Sequence, residues 1–156
     1  MLVLCGRRGG LVASITRLIH FGSLPEDLRQ KEKACAYIDA VLIQATRPGA
    51  TLGEVFEREL QAYKEVGYPD EWKDHHQGGA AAYEPREFFG LPGSQVPVRL
   101  GQAYAWNPSI KGIKSEDTIL IGESENEQAT QISGWPFLEV EVGGQTVTRP
   151  AVLEVT

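Results

Sequence analysis

The sequence predicts an α+β domain, with helices packed on one face of a mostly antiparallel sheet. Three observations lead there. Residues 11–21, LVASITRLIHF, are apolar and rich in β-branched side chains, and they follow the glycine-rich turn GRRGG. Two amphipathic stretches come next, each opened by a helix-start signal. From residue 99 onward, short apolar runs alternate with glycine, proline and polar residues, as strands and turns do.

Each element has its own signal. Residues 2–5 (LVLC) read as a strand and 11–21 as its hairpin partner. Ser23-Leu-Pro-Glu26 supplies a cap, a first-turn proline and an acidic third position for a helix reaching about Thr46. Leu28, Cys35, Ile38, Leu42 and Ala45 keep a spacing near three and four, and so form one buried stripe. Arg47-Pro-Gly breaks it. Thr51-Leu-Gly-Glu54 is a second capping box, and Leu52, Val55, Phe56, Leu60 and Tyr63 line the helix that stops at Gly67. A Gly-Gly turn follows the histidine pair at 75–76. Residues 88–98 read as a loop. Strands are expected at 99–106, 117–122, 136–142 and 146–155, with Gly143-Gly144 as a hairpin turn and 124–134 as a polar loop.

A chain of 156 residues fits one domain, 1–156, large enough for a real core. The net charge of -6 opposes nucleic acid and anionic membrane surfaces, and lysine and arginine form no stripe. No run is long enough to span a membrane, and the first residues lack the order of a signal peptide. Two cysteines outside any C-x-x-C pair suggest a reducing, cytoplasmic setting and two small buried side chains.

Polar groups concentrate in three places: His75-His76-Gln77-Gly78-Gly79 running to Tyr83, Arg86 and Glu87; Trp106-Asn107-Pro108; and Lys114-Ser115-Glu116-Asp117-Thr118. Singly, each has a plain structural reading. A histidine pair beside Lys73 and Asp74 suits a solvated loop, Asn-Pro starts turns, and Ser-Glu-Asp-Thr is a polar lead-in to a strand. His20, isolated on a strand, reads as packed or surface.

In order, the three places resemble the catalytic domain of the pita-bread metallopeptidase superfamily: aminopeptidase P, prolidase, methionine aminopeptidase and creatinase. GGLVASITRLIHFG is similar to the hairpin carrying Gly-Tyr-x-x-Asp-x-Thr-Arg. HHQGGAAAYEPRE stands where the family has Gly-His-x-x-Gly. QAYAWNPSIKGIKSEDTILIG is similar to the closing strands, with Glu-Pro in the first and Glu-Asp-Thr in the second. The resemblance covers nearly the whole chain. It implies the C-terminal portion of the pita-bread fold, with helices on a curved, mostly antiparallel sheet, and it places Met1 at the start of the ligand-bearing hairpin.

The resemblance also implies a site. The working enzymes hold two divalent metals with two Asp, one His and two Glu. Carried over by position, these fall on Val3, Ser14, His76, Asn107 and Glu116. Tyr83 takes the place of a substrate-contacting histidine. One carboxylate remains of four, and hard dications need anionic oxygens. The expectation is that no dinuclear site forms, with room for one loosely held divalent ion at His76 and Glu116.

For a metal-free hydrolase, His76 would be the general base and Glu116 its orienting partner. Tyr83 and Asn107 would donate to a developing oxyanion, and Arg86 would clamp a substrate carboxylate, with Ser14 and His75 nearby. The alternative is a pseudoenzyme that binds a ligand or serves as a scaffold. The ligand expected is a small peptide or amide, and the chain is expected to be a homodimer or part of a longer polypeptide.

Overall fold

The computed structural model describes residues 2–156. The side chains of residues 2–4 lie outside the described residues, so the Val3 position is seen only as backbone paired with Arg17. In chain order the strands and helices are β1 (Leu2–Arg8), β2 (Leu11–Phe21), α1 (Glu26–Ala45), α2 (Leu52–Glu65), β3 (Gly78–Ala81), β4 (Phe88–Phe89), β5 (Ala103–Trp106), β6 (Ser109–Ile110), β7 (Ile113–Lys114), β8 (Asp117–Leu120), β9 (Glu127–Gln128), β10 (Phe137–Val142), β11 (Gln145–Pro150) and β12 (Leu153–Val155). A single 3-10 turn, Glu71–Asp74, precedes the histidines.

The α+β class stands. A five-stranded antiparallel sheet runs β4-β3-β5-β8-β9, and the β1–β2 hairpin takes β12 as a parallel third strand. β10 and β11 form a separate hairpin closed by Gly143-Gly144. Between Leu4 and Gly6 the β1–β2 register slips by one residue, a β-bulge in which Ser14 and Ile15 of β2 stand opposite Cys5 of β1.

The helices cover the sheet with the faces their spacing dictates. Cys35, Ile38, Leu42, Leu52, Val55 and Tyr63 are buried against Tyr104, Trp106 and Ile119. Each large apolar side chain removed from water contributes about 1.5–3 kcal/mol. Trp106 is fixed further by its indole N–H, which donates to Thr46 Oγ1 at 2.8 Å just past the end of α1. α2 begins on the expected capping box, with Thr51 and Glu54 satisfying each other's backbone N–H.

Other expectations are corrected. Ser23 does not cap α1; the cap position is Pro25, and no side chain bonds there. Glu154 of β12 binds the entry instead, accepting from Leu24 N at 2.7 Å and pairing with Arg29 at 3.0 Å. A long-range carboxylate thus replaces the local cap. The expected strand 146–155 is two strands interrupted at residues 151–152, because β12 leaves the hairpin to join β2. The supposed loops at 88–98 and 124–134 each contribute a two-residue edge strand. Cys35 is buried, with its thiol donating to Pro108 O, but Cys5 is exposed.

Gly78-Gly79 is no turn. It is the start of β3, wedged between β4 and β5 with φ of 114° and 150°. A Cβ at Gly78 would lie 2.3 Å from Ala105 O, and one at Gly79 would lie 2.0 Å from Phe88 O. Only glycine fits both the backbone conformation and the approach.

Two buried polar features were invisible to periodicity. Arg149, fully buried, bonds Asp39 of α1 at 2.5 Å and Asp117 of β8 at 3.0 Å. Arg17 of β2 reaches the other oxygen of Asp117 at 2.8 Å. On α2, Glu59 is fully buried while Leu60 is only half-buried. Both Glu59 oxygens lack a hydrogen-bond partner, and burial, then the nearby Asp39, pushes its carboxyl well above the usual range.

Arg149→Met should cost about 3–5 kcal/mol, because two buried carboxylates lose a shared cation; the urea midpoint measures it. A carboxyl raised in the folded state holds a proton that the unfolded chain releases, so its stabilisation is lost as pH rises above the ordinary glutamate range. Glu59→Gln cannot ionise. Its urea midpoint should therefore fall less than that of the parent chain between pH 5 and pH 8.

Candidate functional site

The site is assembled where β2 meets β8. The backbone N–H of Thr16 donates to Glu116 O at 3.0 Å, and Thr118 Oγ1 donates to Ser14 O at 2.9 Å. Thr16 Oγ1 donates to Glu116 Oε2 at 2.7 Å. The Thr16-Arg17 pair and the Glu116-Asp117 pair are thus locked side by side. Ser14, Thr16 and Glu116 fall on one side of this junction, and Arg17 and Asp117 interact with the buried network.

The histidine segment is delivered by Gln77. Its amide nitrogen donates to Trp72 O and His75 O, both at 2.9 Å, and its amide oxygen accepts from Tyr63 OH at 2.9 Å. This pins residues 72–77 to α2. β3 then holds the segment beside β5, where Asn107 N donates to Gln77 O at 2.9 Å.

A cavity of about 190 Å³ lies at the junction, bordered by Ser14, His76, Arg86, Asn107 and Glu116. These are five of the seven sequence-derived site residues. The other two lie elsewhere. Tyr83 is 64% exposed and is not part of the cavity wall; its ring packs near Gly10. His75 is also absent from the wall: Nδ1 donates to His76 O, and Nε2 meets Ser109 Oγ. Cys5, Pro85 and Lys114 complete the lining. Lys114 belongs to one of the polar clusters visible in the sequence. Cys5 had no sequence signal, since the bulge that turns it here is a register effect.

Two roles expected from the sequence meet a different geometry. Glu116 makes no hydrogen bond to His76. Its Oε1 accepts from Arg86 at 2.8 Å, and its Oε2 accepts from Thr16 and pairs with Lys114 at 3.1 Å. Arg86 is likewise not a free clamp. One terminal nitrogen is on Glu116 and the other donates to Ser14 Oγ at 2.8 Å and to its neighbour Pro85 O. The guanidinium therefore bridges Ser14 and Glu116.

The electrostatics follow. Burial acts to raise the Glu116 carboxyl, but Lys114, Thr16 and Arg86 together hold it below the usual range, so it stays ionised. The His76 imidazole is held below its ordinary range by partial burial first, then by Arg86, His75 and Lys114. Its ring makes no hydrogen bond among the described residues and tilts against Phe89, with centroids 5.0 Å apart. The arrangement offers a neutral imidazole, two cations and one spoken-for carboxylate. Two buried groups remain unpartnered: Arg86 Nε and the Asn107 amide oxygen.

No family model matches the chain. It is 28% identical over 138 residues to the agropine synthesis cyclase of Rhizobium rhizogenes, an alignment covering 83% of this chain and 35% of that protein. It is 23% identical over 128 residues to an uncharacterized peptidase of Staphylococcus epidermidis, covering 76% of this chain and 35% of the relative. The chain thus spans about a third of the length of these curated relatives.

Among solved structures, the X-Pro aminopeptidase from Thermotoga maritima superposes with a TM-score of 0.76 at 14% identity, covering 97% of this chain and 40% of that one. The prolidase from Pyrococcus furiosus gives 0.72 at 22% identity, covering 83% and 40%. The fold is the pita-bread fold of these enzymes.

Arg86→Gln removes a positive neighbour from His76. The His76 titration midpoint, followed by imidazole proton NMR, should rise towards the ordinary histidine value.

Proposed function

We propose that this pita-bread domain is a metal-independent relative of the peptidase-like hydrolases, acting on the carbonyl of a small peptide or amide in the cavity between β2 and β8. The observation that carries the reading is the Arg86 guanidinium bridging Ser14 and Glu116 at 2.8 Å to each.

The residues do not fit the two dications that the fold family uses. Ser14 and Asn107 are neutral, and Glu116 already has Arg86, Lys114 and Thr16 on its oxygens. A metal ion would have to displace these partners and sit beside two fixed cations. Unit like charges about 4 Å apart repel by about 4 kcal/mol at the effective permittivity of a protein surface, and a dication doubles that. The same partners oppose even one ion at His76 and Glu116.

The chemistry derives from what stands there. A neutral His76 takes the proton of a nucleophile as its oxygen attacks the carbonyl carbon. Negative charge gathering on the carbonyl oxygen is met by Lys114 and Arg86 in a partly dry site. As the C–N bond breaks, His76 returns the proton to the leaving nitrogen. With water as nucleophile the result is hydrolysis.

A second reading changes only the nucleophile. A relative at 28% identity carries the name cyclase. A hydroxyl or amine of the same substrate would then attack, and the product would be a ring. The remaining alternative is a cleft that binds a ligand without turning it over.

Proline-containing dipeptides, guanidino compounds and simple amides, assayed with and without chelator, separate these readings. Turnover should resist chelator and fall by about 10²-fold or more in His76→Ala. Loss of turnover on chelation would overturn the metal-free reading. Binding without turnover would leave the ligand-binding alternative.

A further inference from the structure

We propose that the groove between segment 124–136 and the β10–β11 hairpin docks an extended, uncharged peptide by strand addition, with one apolar side chain seated at Trp135. The groove shares no residue with the cavity bordered by His76, so the inference is independent of the chemistry assigned there.

Two hollows of about 420 Å³ each make up the groove, and Gln128, Gln131 and Thr148 border both. One hollow follows residues 145–148 and the other follows 148–150, so together they run the length of β11. Successive side chains of a strand point to opposite faces. Consecutive residues border one hollow only where it lies along the strand's edge. The facing wall carries Gln128 of β9. Both strands are edges among the described residues: β9 ends the five-stranded sheet, and β11 pairs with β10 alone.

The pairing phase fixes what each edge offers. Gly143 and Gly144, with φ of 56° and 78°, make a two-residue turn, so Val142 and Gln145 exchange both backbone bonds. Bonded and non-bonded pairs then alternate. Thr146 opposite Glu141 and Thr148 opposite Glu139 are non-bonded, so their N–H and C=O groups point away from β10. Thr148 O receives one long bond, from its neighbour Arg149 at 3.4 Å. Across the groove, Ala129 N donates to Thr118 O. Gln128, one residue earlier and opposite Ile119, therefore turns its backbone groups away from β8. Unpaired backbone edges of this kind template another strand.

The two ends select the occupant. Trp135 is held by its indole N–H on Ala151 O at 2.9 Å and by Arg17 over its ring. Ile132 and Phe137 border the same hollow, 43% and 59% exposed, and leave a seat for one apolar or aromatic side chain. The other end is rich in carboxamides, from Gln44, Asn126, Gln131 and Gln145. Charge is balanced along the wall. Arg17 and Arg149 are matched by Asp117 and Asp39, and Arg47 and Glu125 offset each other at the amide end. A polyanion finds no excess cation here, whereas an uncharged strand leaves no charge unpaired.

The probe is a mixture of capped heptapeptides of alternating Thr and Val with Phe, Trp or Leu at one end. The protein should retain members of this mixture in equilibrium dialysis. With a retained peptide at ten times its measured Kd, amide exchange read by mass spectrometry should slow about tenfold in segments 126–131 and 145–150. Thr148→Pro removes an outward N–H without touching the β10 ladder and should weaken binding about tenfold or more, while Thr148→Val should bind as the parent does. N-methylating alternate residues of the peptide, which leaves the protein unaltered, should weaken binding to the same degree. No retention, protection confined to other segments, or unchanged binding of the N-methylated peptide would overturn the proposal. So would concentration-dependent protection of the same amides without peptide, together with a dimer in light scattering, which assigns the groove to a second copy. His76→Ala should leave peptide binding unchanged, so the hydrolase reading stands or falls separately.

Discussion

One buried charge network positions everything else. Asp117 accepts from Arg17, Thr130, Gln128 and Arg149, and Arg149 continues to Asp39, which also accepts from Ser115. The links come from β2, α1, β8 and the residues just before it, β9 and the loop beyond it, and β11. Such groups gain little over a well-packed apolar core when all partners are present, and lose a great deal when one is missing. What they supply here is registration. Asp117 can satisfy its partners in only one alignment of β2 against β8, and that alignment sets its neighbour Glu116 beside Thr16 and Ser14.

The site then repeats this logic one residue along. Where Asp117 is matched by Arg17 and Arg149, Glu116 is matched by Arg86 and Lys114. Carboxylates adjacent in sequence each take two cations, one set sealed in the interior and the other bordering an open hollow. The inner set is sealed from solvent, with Arg17 Nε left unpartnered among its atoms. The outer set borders the cavity, with Lys114 still partly open to solvent, and that access gives the hollow its chemical character.

Much of this was legible in the residues. The helix stripes through Ile38, Leu42, Val55 and Tyr63, the capping box at Thr51, and the strands around Trp106 and Asp117 all follow from short-range rules of spacing and turn chemistry. Motif order brought Ser14, His76, Arg86, Asn107 and Glu116 into one list, and the fold brings those five to one cavity. What escaped was long-range. Glu154 binds the start of α1 from the far end of the chain. Tyr83 and His75 sit near the right residues in sequence, but the turn at 82–87 and Ser109 take them elsewhere. Arg86 read as a free guanidinium, because a sequence cannot say which hydrogen bonds are already spent. Gly78-Gly79 read as a turn, because a close approach of strands and a tight bend ask for the same residue type.

That glycine pair also divides the molecule into parts that can and cannot vary. A spine with no room for a methyl group carries His76 to the cavity, while Arg86 and Lys114 reach the same wall from outside that sheet. The wall could therefore be rebuilt with new acids, amides or aromatics without disturbing the backbone that presents the imidazole. For anyone wishing to retune this cleft, the freedom lies around its rim, and the anchor is best left alone.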